Sequence, residues 1–181
     1  MKNSKILLGS IFAISALASQ LASAAPTTGT ITFNGALVAD TCLINGGGTN
    51  DFAVTLPSTQ TTDLAAAGQT AGETPFSIAL TGCSPSVPVR AFFSSASSGI
   101  DGSTGRLINT GLATNVQVQL LNSASAPIAL NGANATAQGD TLRTTDASGT
   151  ATLDYTARYY ATGTTSAGSV NSSVMYEIVY N

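Results

Sequence analysis

VNSSVMYEIVYN, residues 170 to 181, decides the fold. Val174, Tyr176, Ile178 and Tyr180 occupy alternate positions, which in an extended strand places all four on one face. β-branched and aromatic residues dominate the stretch, as in a half-buried strand. No residue follows Asn181, so this strand is expected to lack a covering neighbour from its own chain. A bare strand edge is a template for another chain unless proline, lysine or a bulge blunts it. Here Glu177 is the one charge and proline is absent. The edge is therefore expected to be covered, and by a different molecule.

Working back from it, short apolar runs alternate between turn residues along most of the chain. Charged residues are only 8% of the 181 positions, and neither His nor Trp occurs. Disorder needs low hydrophobicity with high net charge, so this composition points to one ordered all-β domain. Phe76, Ile78 and Leu80 alternate up to Cys83, and Val87, Val89 and Ala91 follow a Ser84-Pro85 turn. Phe52, Val54 and Leu56 predict another strand, as do Val116, Val118 and Leu120, and Ile128 and Leu130 a short one. Ala151, Leu153, Tyr155, Ala157 and Tyr159 predict the strand before the terminal one. Asp63 ahead of Leu64 to Ala67, closed by Gly68, predicts a capped helical turn. Seven or eight such strands with regular turns read as a β-sandwich.

Residues 1 to 24 read as a signal peptide: Lys2 and Lys5, an apolar core from Ile6 to Ala18, and the small-residue site Ala22-Ser23-Ala24. The apolar core is too short for a membrane span. Its removal takes both lysines and leaves Arg90, Arg106, Arg143 and Arg158 against nine acidic residues. That balance argues against nucleic acid and anionic membrane as partners. In an exported chain Cys42 and Cys83 are expected to form one disulfide, free buried thiols being the alternative. Closing that loop would contribute roughly 4 kcal/mol in the chain-entropy model. Two cysteines without histidine make a poor zinc site, and no cofactor is expected.

Residues 29 to 38, GTITFNGALV, carry the cleanest period-two pattern in the sequence. Gly29, Ile31, Phe33, Gly35 and Leu37 share one face. A glycine inside such a run marks close backbone approach or a bulge. Catalysis has little to work with. Serines need an adjacent base, and neither His nor any lysine beyond Lys5 supplies one. The carboxylates sit mostly in turns such as Asp101-Gly102 and Gly139-Asp140. No glycine run has phosphate-loop spacing, so no small-molecule substrate is expected. Asn134-Ala-Thr136 and Asn171-Ser-Ser173 match the glycosylation pattern, a weak signal.

With these residues in view the chain resembles the chaperone–usher pilins, in particular the shaft subunits of type 1 fimbriae. The resemblance is carried by the alternating segment with Gly35 ahead of Cys42, and by Phe76-Ser-Ile78-Ala-Leu80-Thr-Gly-Cys83. Ala157-Arg-Tyr-Tyr-Ala-Thr-Gly163 and an ending with Gly168 upstream and Tyr180 penultimate complete it. It implies an incomplete immunoglobulin-like β-sandwich, the pilin fold, lacking its last strand and completed by donor-strand exchange. Residues 25 to 38 would be the donor extension and 39 to 181 the pilin domain. Gly29, Ile31, Phe33, Gly35 and Leu37 would form the donor strand. Gly168, Val174, Tyr176, Ile178 and Tyr180 would form the acceptor groove and chaperone-binding strand. Implied partners are further copies or related pilins in a filament, a periplasmic chaperone and an outer-membrane usher. The implied location is a fimbrium at the cell surface. Two readings compete with a shaft subunit: a minor adaptor pilin, and an exported binding module that takes sugar or protein through loops such as Ser94 to Gly105.

Overall fold

The computed structural model describes residues 42–94 and 99–180, all within one compact unit that spans Val38–Asn181. Eight strands are formed among them: β1 (Leu43–Ile44), β2 (Thr70–Thr81), β3 (Pro88–Ser94), β4 (Leu107–Ile108), β5 (Val116–Leu121), β6 (Arg143–Thr144), β7 (Ala151–Ala161) and β8 (Met175–Tyr180). One helical turn, α1 (Ala135–Gln138), precedes β6. The strands make a five-stranded sheet ordered β1-β2-β7-β5-β4 and a three-stranded sheet ordered β6-β3-β8, antiparallel throughout.

The period-two patterns explain why these segments are strands. Ile78 and Leu80 of β2, Leu153, Tyr155 and Ala157 of β7, and Val118 and Leu120 of β5 point inward and are buried. Val89, Ala91 and Phe93 of β3 meet them from the other sheet, and all belong to one apolar cluster. Burying each large aliphatic or aromatic side chain contributes roughly 1.5–3 kcal/mol. The long β2–β7 pair is the frame, in register from Thr74↔Ala157 to Leu80↔Ala151. Its ladder breaks between Ala71 and Thr74, where Gly72 takes φ +69° and an added Cβ would press on the Tyr159 ring. The chain is an all-β sandwich.

Several expectations are corrected. Phe52, Val54 and Leu56 form no strand. Val54 and Leu56 do pack on the core as their alternation requires, but the segment enters no backbone ladder. The turn expected at Leu64–Ala67 is a 3-10 turn over Thr61–Leu64. Asp63 lies inside it and accepts a bond from Thr59 Oγ1 (3.3 Å) instead of capping, while Leu64 is drawn into the interior. Ile128 and Leu130 are buried without forming a strand, since the Leu130 carbonyl is taken by the Gln138 side chain (3.0 Å). The terminal strand begins at Met175, not at Val170. Residues 169–171 instead bond to the turn after β4: Ala113 N donates to Ser169 O (3.0 Å) and Thr110 N to Asn171 O (2.8 Å). Strands β4 and β6, two residues each, had no alternation to announce them.

Candidate functional site: a groove beside the terminal strand

β8 pairs with β3 along one edge, from Val89↔Tyr180 to Ser94↔Met175. Among the described residues no strand pairs with its other edge. A groove of about 790 Å³ opens on that side between the two sheets. Its floor is the shared core, including Ile78, Phe93, Val118, Leu120 and Ala157. One rim is residues 50–56, the other residues 170–176. Among the described lining residues Asp51 is the one charge, so the trough suits an apolar occupant.

Val174 and Tyr176 line the groove, and Ile178 and Tyr180 continue their face along β8 outside its lining. Val174, Tyr176, Ile178 and Tyr180 all pack on the core, while Met175 and Glu177 face solvent. The two tyrosines span the sandwich at its near end. Tyr176 donates its hydroxyl proton to Asn50 O (2.7 Å), and Tyr180 Oη accepts from Cys42 N (2.8 Å). Rings continue the crossing: Tyr176 lies edge-on to Phe52 at 6.0 Å, Phe52 sits 6.0 Å from Phe76, and Phe76 stacks on Tyr155 at 5.4 Å. Each well-oriented aromatic pair adds about 0.5–1.5 kcal/mol beyond burial. Burial, and after it the Asp51 carboxylate, push the Tyr176 phenol above its ordinary pKa, so it stays a neutral donor near pH 7.

Cys42 and Cys83 are joined, with S–S 2.08 Å and Cα–Cα 4.5 Å. The bond pins β1 beside the end of β2, next to Tyr180. Gly168 lies seven residues ahead of β8, outside the strand and beyond the main groove. It borders a second cavity of about 650 Å³ that continues the trough past Tyr159 and Val170, which line both. A side chain at Gly168 would collide with the Ala113 amide, which is why the position holds glycine. Gly29, Ile31, Phe33, Gly35 and Leu37 lie outside the described residues. The rim at residues 50–56 and the floor residues Phe93, Val118 and Leu120 were not singled out as site residues in the sequence. Alternation marked Phe52, Val54, Leu56, Val118 and Leu120 only as strand residues, and Phe93 follows Phe92, a pair that interrupts the alternation.

Residues 56–181 match the sequence profile of the type-1 fimbrial protein, A family (FimA). The chain belongs to that family. Among similar sequences, the major fimbrial subunit SMF-1 of Stenotrophomonas maltophilia (strain K279a) is 46% identical, over 84% of this chain and 92% of that one. The type-1 fimbrial protein A chain of Escherichia coli (strain K12) is 30% identical, over 99% of this fimbrial-family chain and 98% of its own. Among solved structures, the P pilus rod subunit PapA superposes with a TM-score of 0.58 at 14% identity, over 77% of this chain and 99% of PapA. That likeness speaks to the fold, the immunoglobulin-like pilin sandwich.

Proposed function

We propose that the chain is a structural subunit of a surface fimbria, of the shaft type, and that copies join head to tail by donor-strand complementation. Residues 1–24 act as the export signal, 25–38 as the donor extension and 39–181 as the pilin domain. A periplasmic chaperone holds the groove until an outer-membrane usher exchanges it for the next copy's extension. The site does no catalysis; it binds a strand. The observation that carries the reading is β8, which among the described residues pairs along one edge, with an apolar trough beside the other. Strand addition to such an edge gains affinity from main-chain bonds and specificity from alternate side chains in pockets.

Length and pattern agree. Fully extended, the seven residues Ile31 to Leu37 would span about 20 Å, against about 17 Å for the six residues of β8 at about 3.4 Å per step. Antiparallel pairing, the commoner arrangement, puts Ile31 toward Tyr180 and Leu37 toward Met175 and Val170. Ile31, Phe33 and Leu37 would each contribute roughly 1.5–3 kcal/mol if fully buried. Ordering the donor costs about 1–2 kcal/mol per residue, so the net gain is far smaller than the contacts suggest. A slow unfolding rate then holds the joint.

The test is an unboiled denaturing gel of the purified protein. A ladder of multimers that collapses on boiling is expected. Deleting residues 25–38 should abolish it and leave a chaperone-bound subunit. Gly35→Leu, which adds a side chain where a donor backbone lies close, should stall extension while the domain stays folded. A normal ladder from either variant rules out this donor.

A further inference from the structure

A fimbrial joint made only by a strand in a trough would leave the two folded domains free to swivel. The chain outside the groove is too short for that. Four residues, 38 to 41, separate Leu37 from Cys42, five steps that reach at most about 17 Å fully extended. Cys42 is already fixed to the folded body of the donating copy by its bond to Cys83. Wherever Leu37 lies on the accepting copy, the base of the donating copy must lie within that reach.

The accepting surface at that place has an unusual side chain. Leu112 is 82% exposed, the most exposed of the described large apolar residues. It is not on a slack loop. Gly111 N donates to Asn109 Oδ1 (2.7 Å), Leu112 N to Ser169 Oγ (3.2 Å) and Ala113 N to Ser169 O (3.0 Å). Gly111 approaches Ser169 so closely that a Cβ there would collide with the Ser169 carbonyl. The turn is thus clamped to the strip that leads into the Val170 end of the groove, with Leu112 projecting from it. The base of the domain offers a counterpart. Leu43, directly after Cys42, is 53% exposed and lies against the glycine turn at Gly47. It also lies beside Gly82, within 3.8 Å of where a Cβ there would stand.

We propose that Leu112 of the accepting copy packs on the base of the donating copy, around Leu43 and the Asn45–Gly47 turn, and so fixes the angle between successive domains. The partner is a second copy of this chain, identified by the short tether. The inference rests on the donor-strand reading and on its antiparallel direction.

Two variants test it. Leu112→Cys is labelled with a maleimide in assembled filaments and in the full-length subunit completed by a synthetic peptide of residues 25–38. Labelling at least tenfold slower in filaments is expected. Leu43→Cys combined with Leu112→Cys should give a ladder that survives boiling without reductant and disappears with it. Equal labelling rates in filaments that show the normal unboiled ladder overturn the inference and leave the donor reading standing. Protection without the covalent ladder overturns the assignment to the Leu43 surface. Absence of any unboiled ladder overturns the donor reading and this inference together.

Discussion

The three-stranded sheet has two outer edges, and the protein treats them in opposite ways. On the β3 side, β6 covers only Pro88 and Val89. Side chains then continue where the strand stops. Asp140 Oδ2 accepts from Ala91 N (3.0 Å), and the Gln138 amide both accepts from Phe93 N (3.1 Å) and donates to Phe93 O (2.7 Å). On the β8 side no described strand or side chain forms such a cover. Sealing the first edge requires a buried carboxylate and a buried amide, groups that cost free energy unless fully bonded. A sheet that seals one edge at that expense, and whose other edge has no partner among the described residues, commits strand addition to a single direction.

Gln138→Leu should break the contrast hardest. Gln138 is 1% exposed and serves Phe93 on both its backbone groups as well as the Leu130 carbonyl. Leaving these buried and unpaired should cost about 3 kcal/mol or more. Urea unfolding of the peptide-completed subunit measures it, and a second bared edge should add aggregation to the loss. Filling the open edge works in the other direction. A peptide of residues 25–38 present at a hundredfold over its Kd should stabilise the subunit by about 2.7 kcal/mol. A scrambled peptide should give no shift in the same melt.

Tyr180→Phe is a finer probe of the bare side. It removes only the bond from Cys42 N and should cost about 1 kcal/mol, with the groove face preserved. An unchanged urea midpoint would show that this tie between β8 and the disulfide end contributes nothing. The smallest effect should come from pH. Burial pushes the Asp140 carboxyl above the ordinary range, against the bonds from Tyr155, Thr141 and Ala91 and the nearby Arg90 charge. Its folded form then holds a proton more tightly than the unfolded chain, so its contribution to stability falls as pH rises through the raised pKa. Asp101 and Asp146 act oppositely. Hydrogen bonds, led by Ser103 for one and Thr150 for the other, hold both low. Their contribution is present above about pH 4 and lost as pH falls through the lowered values. Urea midpoints across pH 3–8 should show Asp140→Asn losing ground to the native chain as pH falls, and Asp101→Asn gaining on it.

The open edge was the more legible of the two in the sequence. Val174, Tyr176, Ile178 and Tyr180 announce a face by period alone, and β2, β5 and β7 were readable in the same way, because a long strand repeats its pattern. The sealed edge was not readable. Gln138 and Asp140 act through backbone atoms of a strand some 45 residues earlier in the chain, and no local pattern records such a pairing. The segment 52–56 shows the converse limit. Alternation reported that its side chains face inward, yet a strand is defined by backbone partners, which side-chain periodicity does not specify. Two-residue strands such as β4 carry no period at all.

The Cys42–Cys83 bond has a mechanical consequence. If copies are strung through residues 38–41, tension enters each folded body at Cys42, and a covalent link passes it straight to the end of β2. The stretch between the two sulfurs, groove rim included, then carries almost no load and keeps its shape under pull. The load leaves through β8 along its own axis, so the rungs holding the inserted segment must shear together and cannot be peeled one at a time.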